Sequence, residues 1–318
     1  MAKKLGLALG SGAARGWAHV GVLKGLEELN LKPDVIAGTS AGALVGGAYL
    51  ADALDAFAAW ARELSPLSAL SNFSVNIARG GLIDSRPAFE AFAAYDKDIA
   101  ELPARFGAVA TDLGDGEEVW LTEGSLLEAT RASSAIPVLL QSVERGGQWL
   151  ADGALSNPVP VSLARHLGAD VVVAVDLTDV AFTLDRFKPS TNLPALRPDA
   201  RLPKVTGEDE AAPVAQRVTD AVVGFIQDTR ARIDEEMAFA RARQLAKPQL
   251  FETAFAAVDI FQMHLGRARR GFEPPDICLT PDMRDALPNA FDRADHFVDV
   301  GRAALLAKAD ELRALLGD

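Results

Sequence analysis

Leu5-Gly6-Leu7-Ala8-Leu9-Gly10-Ser11-Gly12-Ala13-Ala14-Arg15-Gly16 begins the stretch that decides the fold. Its first five residues read as a short buried strand, and the glycine-rich run behind them reads as a loop. Residues 17–29 then carry Val20, Leu23, Leu26 and Leu29 at helical spacing on one side. Pro33 precedes a second apolar run, Val35-Ile36-Ala37, which leads into Gly38-Thr39-Ser40-Ala41-Gly42. Residues 41–50, rich in Ala, Gly, Leu and Val, suit a helix packed tightly onto a sheet. Strand, glycine loop, helix, strand, turn and helix in that order open a parallel α/β sheet.

Downstream the pattern is less regular. Residues 106–111 and 118–121 read as strands flanking the turn Gly114-Asp115-Gly116, and residues 126–132 read as a helix. A short strand, Trp149-Leu150-Ala151, ends at Asp152-Gly153-Ala154. Residues 159–167 read as helix, and the β-branched run 171–175 has the composition of a fully buried parallel strand. Residues 184–210 turn to Pro, Arg, Asp and Lys with little periodicity and read as a long surface segment. Helical patterns follow at 211–244, 249–265 and 290–316, with a returning strand at 276–279. The stretch 64–83, with Leu, Phe, Val and Ile among Ser and Asn, reads either as an apolar rim for lipid entry or as a solvated loop with core anchors.

The chain of 318 residues is 49% hydrophobic and 24% charged, an ordinary balance for a soluble globular enzyme. A net charge of -12 argues against nucleic acid, whose binding rests on Lys and Arg neutralising phosphates. It argues equally against electrostatic docking on anionic lipid, a local basic patch aside. Cys278 stands alone and has no internal disulfide partner, which points to a reducing compartment. Lys3-Lys4 followed by Leu5 to Leu9 mimics the start of a leader, but the apolar run stops at Gly10. No apolar run approaches the length of a membrane span. A soluble, cytoplasmic protein is expected, with peripheral contact at the inner membrane left open.

Gly38-Thr39-Ser40-Ala41-Gly42 is a G-x-S-x-G sequence between strand and helix, where a tight turn can project a serine hydroxyl into a cleft. About one chain in ten of this length would contain the pattern by chance, so its context decides. A serine nucleophile needs a base within hydrogen-bond reach and donors for the oxyanion that forms. Gly10, Ser11, Gly12 and Ala13 can offer sterically open N–H groups, and Arg15 with the following helix start adds positive potential. The competing use is a nucleotide loop. However, the spacing G-x-G-x-x-x-G is one residue longer than the dinucleotide fingerprint, and no Gly-Lys-Ser/Thr follows. The four histidines, His19, His166, His264 and His296, all lie in helical patterns rather than at strand-to-loop junctions, and surface or capping roles suit them better than catalysis. Asp152 directly follows a strand on a tight loop, where partial desolvation would let it accept a serine proton.

Together these residues resemble a patatin-like phospholipase, in the bacterial branch related to neuropathy target esterase. The resemblance rests on the loop 7–16, the elbow Gly38 to Gly42 and Asp152-Gly153-Ala154, in that order. Val109-Ala110-Thr111-Asp112-Leu113, Arg131-Ala132-Ser133-Ser134-Ala135-Ile136-Pro137 and residues 152–160 add to it. It covers residues 4–180, with a weaker echo at 275–304.

The resemblance implies a three-layer α/β/α domain over 1–318. Its sheet would be mostly parallel, its core would lie at 4–180 and 275–318, and a largely helical insertion or lid would occupy about 181–274. It implies a lipid acyl hydrolase with Ser40 as nucleophile, Asp152 as general base and no histidine. Oxyanion donors would lie around Gly12 and Ala13, and Arg15 would orient the loop. Ser11 and Ala13 depart from the family's usual glycines, and Ala13 fits only with negative or mildly strained φ. The expected partner is a lipid or acyl-ester substrate, with transient membrane contact and a homodimer through the long charged helix both open. No cofactor or metal is expected, since no His/Asp/Glu cluster has ligand spacing. A regulatory or scaffold protein on the same fold is the alternative, motivated by the long segment 184–273, and a nucleotide-binding enzyme is the third reading.

Overall fold

The computed structural model describes residues 3–63, 74–75, 81–178, 250–283 and 293–317. The chain divides into two units, Met1–Thr183 with Phe255–Asp318, and Leu184–Ala254. Of the second, only residues 250–254 are described, as the start of a helix. The expected helix at 211–244, the surface segment 184–210 and most of the stretch 64–83 lie outside the described residues.

The first unit is built on a mixed sheet. Strand β1 (Leu5–Leu9) is flanked by parallel neighbours, because glycine loops and helices carry the chain back over the sheet before each next strand. Helix α1 (Trp17–Glu28) leads to β2 (Val35–Thr39), and α2 (Ala41–Leu50) follows one residue later. Helix α3 (Leu54–Glu63) precedes two short strands, β3 (Ser74–Val75) and β4 (Gly81–Asp84), then α4 (Arg86–Glu90). Next come β5 (Arg105–Asp112), β6 (Glu118–Leu121) and α5 (Leu126–Ser133). The strands β7 (Val138–Leu140), β8 (Val143–Arg145) and β9 (Gln148–Asp152) follow, then α6 (Val161–His166) and β10 (Val171–Val175). The last described elements are α7 (Leu250–Phe272), β11 (Ile277–Leu279), α8 (Ala294–Leu306) and α9 (Ala309–Leu316).

Strands β11, β10, β1, β2 and β5 lie side by side and parallel. Antiparallel β6, β9 and β8 complete the eight-stranded sheet, and β3, β4 and β7 form a separate three-stranded one. Every residue of β1, β2 and β10 is buried, as expected for parallel strands covered on both faces. One face packs Leu7, Leu9, Ile36 and Phe106 against Leu23 and Leu26 of α1. The other packs Ala8, Ala37 and Val172 against Val161 and Leu163 of α6. Helix, sheet and helix therefore form the three expected layers, and each fully buried Leu or Ile contributes roughly 1.5–3 kcal/mol.

Helix α1 stops where Asn30 takes φ +57 and the Leu31 N–H returns to the Leu26 carbonyl at 2.9 Å, a left-handed C-terminal cap. It is sandwiched between the sheet and α8, which explains why both of its sides are buried. Glycine makes that sandwich thin: a Cβ on Gly21 would run into the Val298 carbonyl, and one on Gly301 into the Ala18 carbonyl. Among the described residues, no helix is long and apolar enough to cross a membrane.

Candidate active site

The turn from β2 into α2 holds Ser40 at φ 54, ψ -118, a region costly for a non-glycine residue. The close approach of α2 to β1 keeps it there: a Cβ on Gly42 would strike the Leu9 carbonyl, and one on Gly38 would strike the Ala43 backbone. Ser133 at the end of α5 also braces the turn, its Oγ accepting the Ser40 N–H at 2.9 Å. A serine at a helix start ordinarily caps its own helix. Ser40 makes no such cap, and its hydroxyl instead donates to Asp152 Oδ2 at 2.6 Å.

The two residues meet because both are hung on β5. Thr39 lies opposite Val109 and Asp152 lies opposite Ala110, on successive residues. Strand β6 occupies the other edge of β5 from Ala108 to Thr111. Consequently β2 and β9 share one edge and meet end to end, with Ser40 and Asp152 at the junction. Asp152 is further fixed by its N–H to the Ala135 carbonyl (2.9 Å), and its Oδ1 accepts from Ala154 N–H (2.8 Å). Only 4% of Asp152 is exposed and 5% of Ser40. Burial pushes the Asp152 carboxyl up to about 6, against the opposing pull of the Ser40 hydroxyl and the Ala154 N–H.

The glycine loop flanks this pair at both ends. A Cβ on Gly42 would lie 2.8 Å from the Gly10 carbonyl, and one on Gly16 would lie 2.6 Å from the Ala41 Cβ. Within the loop, Gly10 N–H donates to Val175 (3.0 Å) and Ser11 N–H to Pro158 (2.9 Å), so these two groups hold the loop to its neighbours. The next two N–H groups, of Gly12 and Ala13, have no acceptor among the described residues. Ala13 sits at φ 49, in the left-handed region. Arg15, buried, donates through Nε to the Gly12 carbonyl at 3.2 Å and through Nη2 to Asp259 at 2.9 Å. Ser11 Oγ donates to Gln262 Oε1 at 2.8 Å.

His19 is fully buried rather than at the surface or at a cap. Its Nε2 lies 2.7 Å from the Gly10 carbonyl, and its Nδ1 has no partner among the described residues. Burial pulls its pKa down to about 4, so the ring is neutral and Nε2–H is the donor. The ring of His166 lies 4.7 Å from that of Trp120, His264 is exposed, and His296 packs beside Phe297. None of these three touches the pair.

Thus the elbow, Asp152 and the loop 10–16 converge as the motifs imply. Sequence reading missed Ser133, His19, Asp259 and Gln262 as neighbours of the site. His19, nine residues after Gly10, and Ser133, inside the motif Arg131 to Pro137, had a local signal; Asp259 and Gln262 act across 244 and 251 residues of chain. Among the described residues, no cluster of three or more His, Cys, Asp or Glu side chains could hold a metal ion.

Comparison with known proteins bears on the same segment. The family model for patatin-like phospholipase matches residues 7–165, which contain Ser40, Asp152 and the loop. An uncharacterized NTE family protein of Mycobacterium tuberculosis is 40% identical over 176 residues, 55% of this chain and 49% of the relative. A lysophospholipase, nte1, of Emericella nidulans is 30% identical over 186 residues, 56% of this chain and 12% of the relative. The chain therefore spans about half or less of these relatives. Among solved structures, VipD from Legionella pneumophila aligns with a TM-score of 0.43 and 12% identity, over 98% of this chain and 67% of that one.

Proposed function

The chain belongs to the patatin-like phospholipase family, and from that premise we propose that it is a serine acyl hydrolase cleaving carboxylic esters of lipids. The observation that carries this is the 2.6 Å hydrogen bond from Ser40 Oγ to a buried Asp152. A carboxyl titrating at about 6 is largely ionised at neutral pH yet basic enough to take a serine proton. In this reading Ser40 Oγ attacks the ester carbonyl while its proton passes to Asp152. The carbonyl π pair moves onto oxygen, and the N–H groups of Gly12 and Ala13 stabilise that oxyanion. Collapse expels the alcohol, which takes the proton back from Asp152 and leaves an acyl group on Ser40. Water then attacks the acyl-enzyme, giving one proton to Asp152; collapse breaks the bond to Ser40 Oγ, which takes that proton back from Asp152, and the carboxylic acid leaves.

The lysophospholipase relative supports a lysophospholipid or phospholipid as substrate, and the single cysteine supports a cytoplasmic setting. The test is turnover of a short p-nitrophenyl ester by purified protein. Ser40→Ala and Asp152→Asn are each expected to lower kcat by a factor on the order of 10³ or more. Near wild-type turnover in either variant overturns the dyad.

A further inference from the structure

The family match ends at residue 165, yet one face of α7, about a hundred residues later, reaches the site. Asp259, Gln262, Gly266 and Arg269 follow one another at intervals of three or four and therefore share a helix face. Asp259 pairs with Arg15, and Gln262 accepts from Ser11. Gly266 comes close enough that a Cβ would touch Thr178 and Pro158, and the Pro158 carbonyl is the acceptor for Ser11 N–H. Arg269 donates at 2.9 Å to the carbonyl of Ser156, on the loop that leaves Asp152, and pairs at 2.6 Å with Glu118 at the start of β6.

We propose that Gln262 and Asp259 are positioning residues for the oxyanion loop, acting through Ser11 and Arg15 so that the N–H groups of Gly12 and Ala13 stay aimed at the reacting oxygen. This rests on the serine-hydrolase reading above and extends it to residues outside the family match. The loop's other hydrogen bonds lie at its two ends. The Gly10 and Ser11 N–H groups and His19 on the Gly10 carbonyl fix where it leaves β1, and Arg15 bonds the Gly12 carbonyl through both its N–H and Nε at the far end. With Ala13 held at φ 49, the loop also stores strain that an unbraced segment would relax. The two side chains from α7 close the remaining freedom, one at Ser11 and one at Arg15. Both contacts are almost dry: Ser11 is 2% and Gln262 9% exposed, and the Arg15 and Asp259 side chains are 4% and 10% exposed. Hydrogen bonds in such surroundings hold geometry more firmly than solvated ones. A displacement of about 1 Å at an oxyanion donor costs on the order of 100-fold in rate.

The experiment is steady-state kinetics of the full chain on a short p-nitrophenyl ester, with Gln262→Leu, Gln262→Glu, Ser11→Ala and the Ser11→Ala/Gln262→Leu double variant. Gln262→Leu and Ser11→Ala are each expected to lower kcat roughly 10- to 100-fold with KM within about threefold of wild type. Gln262→Glu, which keeps an acceptor at the same reach, should recover most of that loss. The double variant should be no slower than the slower single, because both remove the same contact. The rising limb of the pH–rate profile, which belongs to Asp152, should not move. The proposal is overturned by a kcat within about twofold of wild type in Ser11→Ala, which deletes one hydroxyl and should fold even where Gln262→Leu does not. Multiplicative losses in the double variant, or a shifted pH limb, overturn it as well. If Ser40→Ala is inactive while Ser11→Ala is not impaired, this inference alone fails; if Ser40→Ala is active, the hydrolase reading itself fails.

Discussion

At Asp152, folding and chemistry pull in opposite directions. Burial lifts the carboxyl from its ordinary 3.8 to about 6, which makes it a usable base at neutral pH. The folded state therefore holds this proton more tightly than the unfolded chain. Its contribution to stability is complete below pH 3.8 and is lost as pH rises through about 6. Asp152→Asn removes that loss and keeps an oxygen for the Ala154 N–H. The variant should be more stable than wild type at pH 7–8, by up to about 3 kcal/mol, with the difference closing towards pH 4. Denaturant melts at the two pH values check this, and equal stability at pH 8 would contradict it. The same titration predicts that wild-type kcat/KM rises with pH through an apparent pKa near 6. Ala13 tests the loop from another side. Its φ of 49 costs on the order of 1 kcal/mol, which glycine would relieve while adding a similar entropy to the unfolded chain. Ala13→Gly should therefore be no less stable than wild type by more than about 0.5 kcal/mol in denaturant melts; a larger loss of stability would show that the left-handed turn is not strained.

Among the elements, the α1–α8 crossing is the most sensitive to a single methyl. A Cβ at Gly301 would meet the Ala18 carbonyl, a rigid backbone atom, so the helices must part. Gly301→Ala should cost about 1–3 kcal/mol by thermal or denaturant melting; an unchanged midpoint would contradict the packing described. The elements of the buried sheet were the most legible in the sequence. Leu5–Leu9 and Val171–Val175 are continuous apolar runs, as strands covered on both faces must be, and the structure places them at those residues. Helix ends were less legible. The pattern at 249–265 stops before Gly266, yet the helix runs from Leu250 to Phe272, because Gly266 is there for a close approach to Thr178 and Pro158 rather than to end a helix. The single helix expected at 290–316 is two, α8 and α9, separated at Ala307 and Lys308. Helix α3 was legible but passed over: Leu54, Phe57 and Ala58 stand at helical spacing in an Ala-rich run.

Over the whole molecule, the site depends on contacts that no local pattern encodes. Ser40 and Asp152 were legible as chemical types in recognisable motifs, but their meeting follows from β2 and β9 sharing one edge of β5. The braces Ser133, Gln262 and Asp259 come from helices 93, 251 and 244 residues away in sequence from their partners. Such pairs carry no spacing rule, so only the folded chain exposes them. The family match covers Ser40 and Asp152, whereas part of what braces the loop beside them lies beyond it. The central claim is that Ser40 is an activated nucleophile in this framework. It is tested most directly by treating the intact protein with a fluorophosphonate probe and mapping the labelled peptide by mass spectrometry. The account predicts one adduct per chain on Ser40, absent in Ser40→Ala and strongly slowed in Asp152→Asn. An adduct on another residue, or an unmodified Ser40 in folded protein, would contradict it.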